Sequence, residues 1–135
     1  MDKYSAVTQD VLSIFGTPAW KAENIKTFPA NFVAIEPGNE YVRVTVIPGG
    51  RGINRRSLSG ILIIDIFIPA GNGQKRASFI ADKLDSYLDS KTISASNDYS
   101  IQCSQSALSF SGIDADNPTL YRATYTIPFN LFGVF

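Results

Sequence analysis

The 135-residue sequence contains no histidine and only one cysteine, Cys103. A Ser-His-Asp triad, a Cys-His pair and an imidazole metal site are therefore excluded by composition. A single cysteine cannot form a disulfide within the chain, so nothing favours an oxidising compartment. Because Cys103 falls in a predicted strand and has no histidine to act as its base, we expect a structural thiol rather than a nucleophile.

The sequence also lacks net charge and long apolar runs. Lysine plus arginine number 12, as do aspartate plus glutamate, so the chain as a whole has no general attraction for nucleic acid or membranes. No run approaches the roughly 18 apolar residues of a membrane span, and no apolar segment follows Met1 as in a signal peptide. We expect one domain over residues 1–135, used in the cytosol alone or in an assembly.

The most apolar stretch, residues 61–68, predicts a central strand. It is rich in β-branched residues, too short for a membrane, and followed by Pro69, which cannot donate to a ladder. Between Ala77 and Leu88 apolar residues recur at the i, i+3, i+4 and i+7 spacing of one helical face. The sequence therefore predicts a buried strand followed by a helix that packs on the sheet.

The remaining patterns predict an α+β fold, with two helices on one face of a mainly antiparallel sheet. Glycines and arginines between the second and third strands predict a long, mobile hairpin loop. The expected elements are a helix over residues 2–15, extended segments over 19–38, strands over 41–47, 92–94, 99–103 and 120–129, the hairpin loop over 48–59, and a turn-rich loop over 111–118.

Asp65 interrupts the central strand, and its carboxylate has three interpretations. It could be catalytic, bind a cation, or pair with an arginine such as Arg43 or Arg122 at a sheet face or subunit interface. The ion pair is favoured, because a buried charge must be compensated.

Two further acidic or glycine-rich patterns have weak functional interpretations. Asp82, Asp85 and Asp89 fall on the outer face of the predicted helix and are expected to be solvated, with a divalent-ion or partner patch as the alternative. The turn Gly71-Asn72-Gly73 before Lys75 could hold an anion at a helix N-terminus. It matches neither a dinucleotide fingerprint nor a Walker motif, so a tight turn is favoured.

The outer parts of the chain are better candidates for partner contacts. Arg51, Arg55 and Arg56 on the predicted loop could contact phosphates or an acidic protein surface, or could simply be solvated. The apolar end of the chain either completes the core or forms a patch covered by a neighbouring subunit. We expect Phe129 to lie inside and Leu131, Phe132 and Phe135 to lie at an interface.

Several segments together resemble the tail terminator-like proteins of long-tailed (siphovirus-type) bacteriophages, and the resemblance covers most of the chain. The segments are AWKAEN at residues 19–24, YVRVTVIPG at 41–49, GILIIDIFIPAGNG at 60–73, ADKL at 81–84 and LYRATYTIPF at 120–129. These are structural patterns, not catalytic signatures.

The resemblance implies a homo-oligomeric ring, usually a hexamer, that caps the tail tube, stops its polymerisation and contacts the head-completion proteins. Genomic DNA would pass through the lumen without sequence-specific binding. This role implies a place at the head-proximal end of the virion tail and in the host cytoplasm during assembly. It requires no catalytic residue, cofactor, metal, membrane or small-molecule substrate. Another head–tail connector or tail-tube component, an anion- or nucleotide-binding module, and an acid–base enzyme built on Asp65 remain the alternatives.

Overall fold

The computed structural model describes residues 3–29, 40–51, 57–71, 73–94, 99–115 and 118–133. This part of the chain contains three helices, α1 (Lys3–Ile14), α2 (Pro18–Lys21) and α3 (Lys75–Leu88). The first and last confirm the predicted helices. The short α2 corrects the prediction of extended structure: the Thr17 hydroxyl accepts from the Trp20 N–H, and Pro18 occupies the first turn, where its missing N–H costs nothing. None of the described helices is long and apolar enough to cross a membrane.

The described strands form one mixed sheet, which confirms the predicted α+β class. Its order is β1-β2-β3-β7-β5-β4, and β6 also pairs with β7. The β1–β2 pair is parallel and every other pair is antiparallel. The strands are β1 (Thr27–Pro29), β2 (Tyr41–Arg51), β3 (Leu58–Pro69), β4 (Thr92–Ser94), β5 (Tyr99–Cys103), β6 (Ala107–Ile113) and β7 (Leu120–Gly133).

Strand β7 is the centre of this sheet. One of its edges pairs with β3, and its other edge pairs with β5 near its C-terminal end and with β6 near its N-terminal end. Since both are antiparallel to β7, β5 and β6 behave as one long strand interrupted at residues 104–106. Pro128, which has no N–H to donate, lies opposite this break, where its carbonyl accepts from the Ser104 N–H at 2.8 Å.

The hairpin between β2 and β3 is present, but its strands run further than predicted. Beyond a register shift between Pro48 and Gly50, Gly50 pairs with Ser59 and Arg51 with Leu58. A bulge tolerates proline and glycine inside a ladder, so these residues did not end the strand. Strand β6 was not predicted, and it reaches into the predicted loop over residues 111–118.

Alternation along the strands divides the sheet into a covered and an uncovered face. Leu62, Ile64, Ile66 and Ile68 of β3 point to the helices and are buried, and each such side chain contributes roughly 1.5–3 kcal/mol. They meet the apolar stripe of α3, which consists of Ala77, Ile80, Ala81, Leu84 and Leu88.

Trp20 closes the core at the β1 edge. Its ring centroid lies 5.2 Å from those of Phe15 and Tyr87, both edge-on, and its indole Nε1–H donates to the Thr27 hydroxyl at 2.8 Å. The buried aromatic group thereby satisfies its polar atom.

Candidate functional site

The second face of the sheet is covered by none of the described helices. We call it the open face. It carries the side chains that alternate with the core positions on β2, β3 and β7. These are Tyr41, Arg43, Thr45 and Ile47 on β2; Ile61, Ile63, Asp65 and Phe67 on β3; and Arg122, Thr124, Thr126, Pro128, Asn130 and Phe132 on β7.

Asp65 forms the centre of a polar cluster on this face. Register places it between Arg43 and Thr124, with Arg122 two positions along β7 from Thr124. Oδ2 accepts from Arg43 Nη2 at 3.3 Å, and Oδ1 accepts from Arg122 Nε and Nη2 at 3.1 and 2.8 Å. The Thr124 hydroxyl donates to Oδ1 at 3.3 Å. The predicted ion pair is therefore confirmed, and it involves both arginines.

Burial in the cluster is unequal. The Asp65 side chain is 6% exposed, whereas those of Arg43 and Arg122 are 42% and 37% exposed. The two positive charges and one negative charge leave the cluster with an excess of one positive charge. The carboxylate thus holds two guanidinium groups in fixed positions while part of each faces solvent. Such groups suit recognition of carboxylates or other anions on a partner.

An aromatic pair supports the arginines from below. Phe67 is buried on the open face, and the Tyr41 ring stacks on it at 4.6 Å between centroids. The guanidinium carbons of Arg43 and Arg122 lie 5.4 and 5.9 Å from the Phe67 ring centroid, within cation–π range. Burial raises the pKa of Tyr41, so its phenol stays neutral beside the cluster, although Arg43 acts in the opposite direction.

The other end of the open face is apolar. Ile47 and Ile61 are register partners on β2 and β3, and each is 43% exposed. Pro128, the register partner of Ile61 on β7, is exposed beside them. The row of Thr45, Ile63 and Thr126 lies between this apolar row and the Asp65 cluster. Exposed apolar surface near fixed charges is a pattern that protein–protein interfaces share.

The structure separates the predicted residues at the end of the chain. Phe129 is buried, as predicted, but Leu131 is also fully buried, because both lie on the core side of β7. Leu131 therefore has no surface to offer a partner, whereas Phe132 is 37% exposed on the open face. Phe135 lies outside the described residues.

The predicted arginine loop is described only at its start. The backbone of Arg51 ends β2, but its side chain lies outside the described part of the structure, as do Arg55 and Arg56. The structure therefore does not bring these arginines to the open face or separate them from it.

Asp85 and Asp89 were predicted to be solvated, but both accept hydrogen bonds from residues outside α3. Asp85 Oδ1 accepts from the Tyr125 and Ser106 hydroxyls at 2.7 and 2.6 Å, and Asp89 Oδ1 accepts from the Ser106 N–H at 3.0 Å. These bonds join the end of α3 to the break between β5 and β6. Burial, and then the hydrogen bond to Asp85, raise the pKa of Tyr125 well above its ordinary range. Of the three aspartates, only Asp82 is exposed, whereas Asp85 and Asp89 are half-buried.

The remaining candidates have structural explanations. Cys103 is buried, and burial raises the pKa of its thiol to about 11, which suppresses the nucleophilic thiolate. Gly71 and Gly73 have φ values of 91° and 76°, as a tight turn requires, whereas Asn72 lies outside the described residues. Within the described ranges, no group of three or more aspartate, glutamate, cysteine or histidine side chains is placed to hold a metal ion.

Sequence reasoning missed the Ile47–Ile61 pair as a surface feature. The continuous apolar run around Ile61 predicted burial on both faces, and only the register with β2 and β7 shows which side is uncovered. The alternation of residues along Tyr41–Ile47 indicated that one face of β2 is exposed, but it did not show that Ile61 of β3 lies on the same face.

The comparisons with known proteins support the fold alone. No family model matches the chain, and no curated protein does. One solved structure is similar over 98% of this chain and 94% of its own, with a TM-score of 0.67 and 11% sequence identity. At that identity, the shared feature is the path of the backbone.

Proposed function

We propose that this protein is a structural assembly protein whose open face is an interface between subunits. The observation that carries the proposal is the exposed apolar row of Ile47, Ile61 and Pro128 on the same face as the arginines fixed by Asp65. Burying the row would supply roughly 25 cal/mol for each Å² of apolar surface, and the arginines would set the register of the contact.

The specific form that we propose is a tail terminator-like ring of a long-tailed bacteriophage. The sequence resemblance supports it, and a capping role uses no nucleophile, metal or cofactor. In this role the ring binds the tail tube protein on one side and a head-completion or connector protein on the other, with genomic DNA passing through its lumen. A ring requires head-to-tail contacts, so the open face of one subunit meets a different surface of the next.

Substitution of Ile61 by aspartate tests the interface. A charge at the centre of the apolar row cannot be buried without compensation, so Ile61→Asp should abolish the ring while the helical content stays unchanged. Phe79→Asp is the matched control, since Phe79 is 46% exposed on α3, on the other side of the sheet. Native mass spectrometry, with and without purified tail tubes, would measure assembly.

The outcomes are distinct. A wild-type protein that stays monomeric in both conditions contradicts the capping role. Rings formed equally well by Ile61→Asp would remove the open face as the interface but leave the ring. Binding to isolated connectors without binding to tubes would favour the head–tail connector alternative.

A further inference from the structure

Within the described residues, strand β6 pairs on one edge only, with β7, and it has neither of the two residue types that usually protect an edge, a charged residue or a proline. Its seven residues, Ala107 to Ile113, include no charged residue and no proline. Edge strands in monomeric proteins normally carry a lysine, a proline or another charge that prevents a further strand from adding. The one protective feature here is the bulge between Phe110 and Gly112.

The hydrogen-bond pattern shows which backbone groups face outward. The Ser104 N–H donates to the Pro128 carbonyl and the Asp114 N–H to the Leu120 carbonyl, so the even-numbered residues of β7 bond toward β5 and β6. In an antiparallel ladder, bonded and non-bonded pairs alternate. Ala107 and Ser109 therefore bond to β7, whereas Leu108, Phe110 and Ile113 direct their N–H and C=O groups away from it.

The side chains at this edge are also available. Phe110 is 38% exposed and Ile113 is 64% exposed, the highest value among the large apolar side chains of the described residues. Phe110 contacts Tyr121 at 6.3 Å between ring centroids, so it is held at the edge instead of folding over it. Backbone groups and apolar side chains thus present one continuous surface.

Length and composition together select the partner. Among the other edges in the described part of the sheet, β1 and β4 have three residues each, and the part of β2 beyond its pairing with β1, Thr45–Arg51, contains Pro48, a register shift and Arg51. A second β6 has the same seven residues with neither charge nor proline, so two such strands meet without like-charge repulsion. We propose that two copies of this chain pair antiparallel through β6, in a two-fold contact that continues the sheet from one subunit into the other. This edge is distinct from the apolar row of Ile47, Ile61 and Pro128, although Ser109, as the register partner of Thr124, lies on the open-face side of β6.

The test uses Ile61→Asp as the background, because that substitution is designed to remove the open-face contact. We expect Ile61→Asp to sediment at twice the 14.7 kDa subunit mass. Adding Ser109→Lys, which places a charge on each β6, should weaken the dimer at least tenfold and make it stronger again at high salt. Thr92→Lys on β4 is the matched control and should leave the dimer unchanged.

A second pair of variants tests the backbone bonds directly. Leu108→Pro removes one outward N–H, and Leu108→Ala controls for the lost side chain, so only the proline should dissociate the dimer beyond the effect of alanine. Circular dichroism verifies folding. A monomer in the Ile61→Asp background at all concentrations overturns the proposal, as does a dimer that survives both Ser109→Lys and Leu108→Pro. The proposed ring depends on the open face and not on β6, so β6 variants of the otherwise wild-type chain need not lose the ring. The proposed function and the β6 contact can therefore fail independently.

Discussion

Asp65 is the residue on which the open face depends most. Its carboxylate accepts from Arg43, Arg122 and Thr124, and with its side chain 6% exposed it has little water to replace them. Removing it would leave two guanidinium groups side by side over Phe67 without their counter-charge. Its contacts show that it fixes the positions of two positive charges.

We expect Asp65→Ala to lower the free energy of unfolding by about 1–3 kcal/mol, since hydrogen bonds to a charged group are lost. The arginines are more than a third exposed, so solvent screening keeps the effect near the lower end. Arg43→Met should cost less, because Arg122 remains on the carboxylate. Urea denaturation would measure both, and an unchanged midpoint for Asp65→Ala would contradict this interpretation.

Cys103 gives the molecule a weakness at alkaline pH. Burial raises its pKa to about 11, whereas an unfolded thiol titrates near 8.5. Between these values the unfolded chain loses a proton that the folded chain keeps, so the stability that is present below about pH 8.5 is lost as pH rises toward 11. The raised pKa of Tyr125 extends the loss above about pH 10.

Thermal unfolding between pH 8 and pH 11 tests this expectation. The midpoint should fall, and in Cys103→Ala the fall below pH 10 should be smaller. Alkylation of native Cys103 at pH 8 should be slow compared with that of the unfolded chain. A melting temperature independent of pH over this range would show that the thiol is not shielded.

Strands β2 and β3 approach each other closely at Gly60. A Cβ there would lie 2.8 Å from Cζ of Phe129 and 3.0 Å from Cα of Pro48, and it would also collide with the Ile47 carbonyl. Gly60→Ala should therefore destabilise the hairpin by about 1–3 kcal/mol through overpacking. Gly49→Ala is the control, because nothing lies within 4 Å of its Cβ position. Equal denaturation midpoints for the two variants would show that the strands can separate at no cost.

Elements with strong local patterns were predictable, and those fixed by distant pairing were not. The apolar run of β3 and the periodic stripe of α3 define their structures within the sequence itself. The sequence of β6, Ala-Leu-Ser-Phe-Ser-Gly-Ile, has no strong local strand pattern. The segment is a strand because its backbone pairs with that of β7. Asp85 was predicted to be solvated because the helical pattern places it on the outer face of α3. The pattern does not show that the hydroxyls of Tyr125 and Ser106, which are distant in the chain, donate to its carboxylate. Predicting that the Ile47–Ile61 pair is exposed required the register of β3 with both of its neighbours, β2 and β7, and β7 is far from β3 in the chain.

At the scale of the whole molecule, the predicted arginine loop offers the clearest test of the proposed capping role. In the sequence, Arg51, Arg55 and Arg56 lie between the start of β2 and the start of β3. Changing all three to glutamate should block tail capping by reversing local charge, with a melting temperature close to that of the wild type. Electron microscopy of tails from complementation would measure the effect. Normal tails with the triple variant would remove the loop from the mechanism.

The position of β7 also has a consequence for biosynthesis. It joins β3 on one side to β5 and β6 on the other, so the ribosome must produce most of the sheet before its central strand exists. The β2–β3 hairpin can form early, but the backbone edge of the apolar strand β3 that pairs with β7 stays unpaired until β7 has left the exit tunnel. Pairing over such long sequence separations is slow. The newly made chain therefore passes through an aggregation-prone interval, during which binding by a chaperone would protect β3.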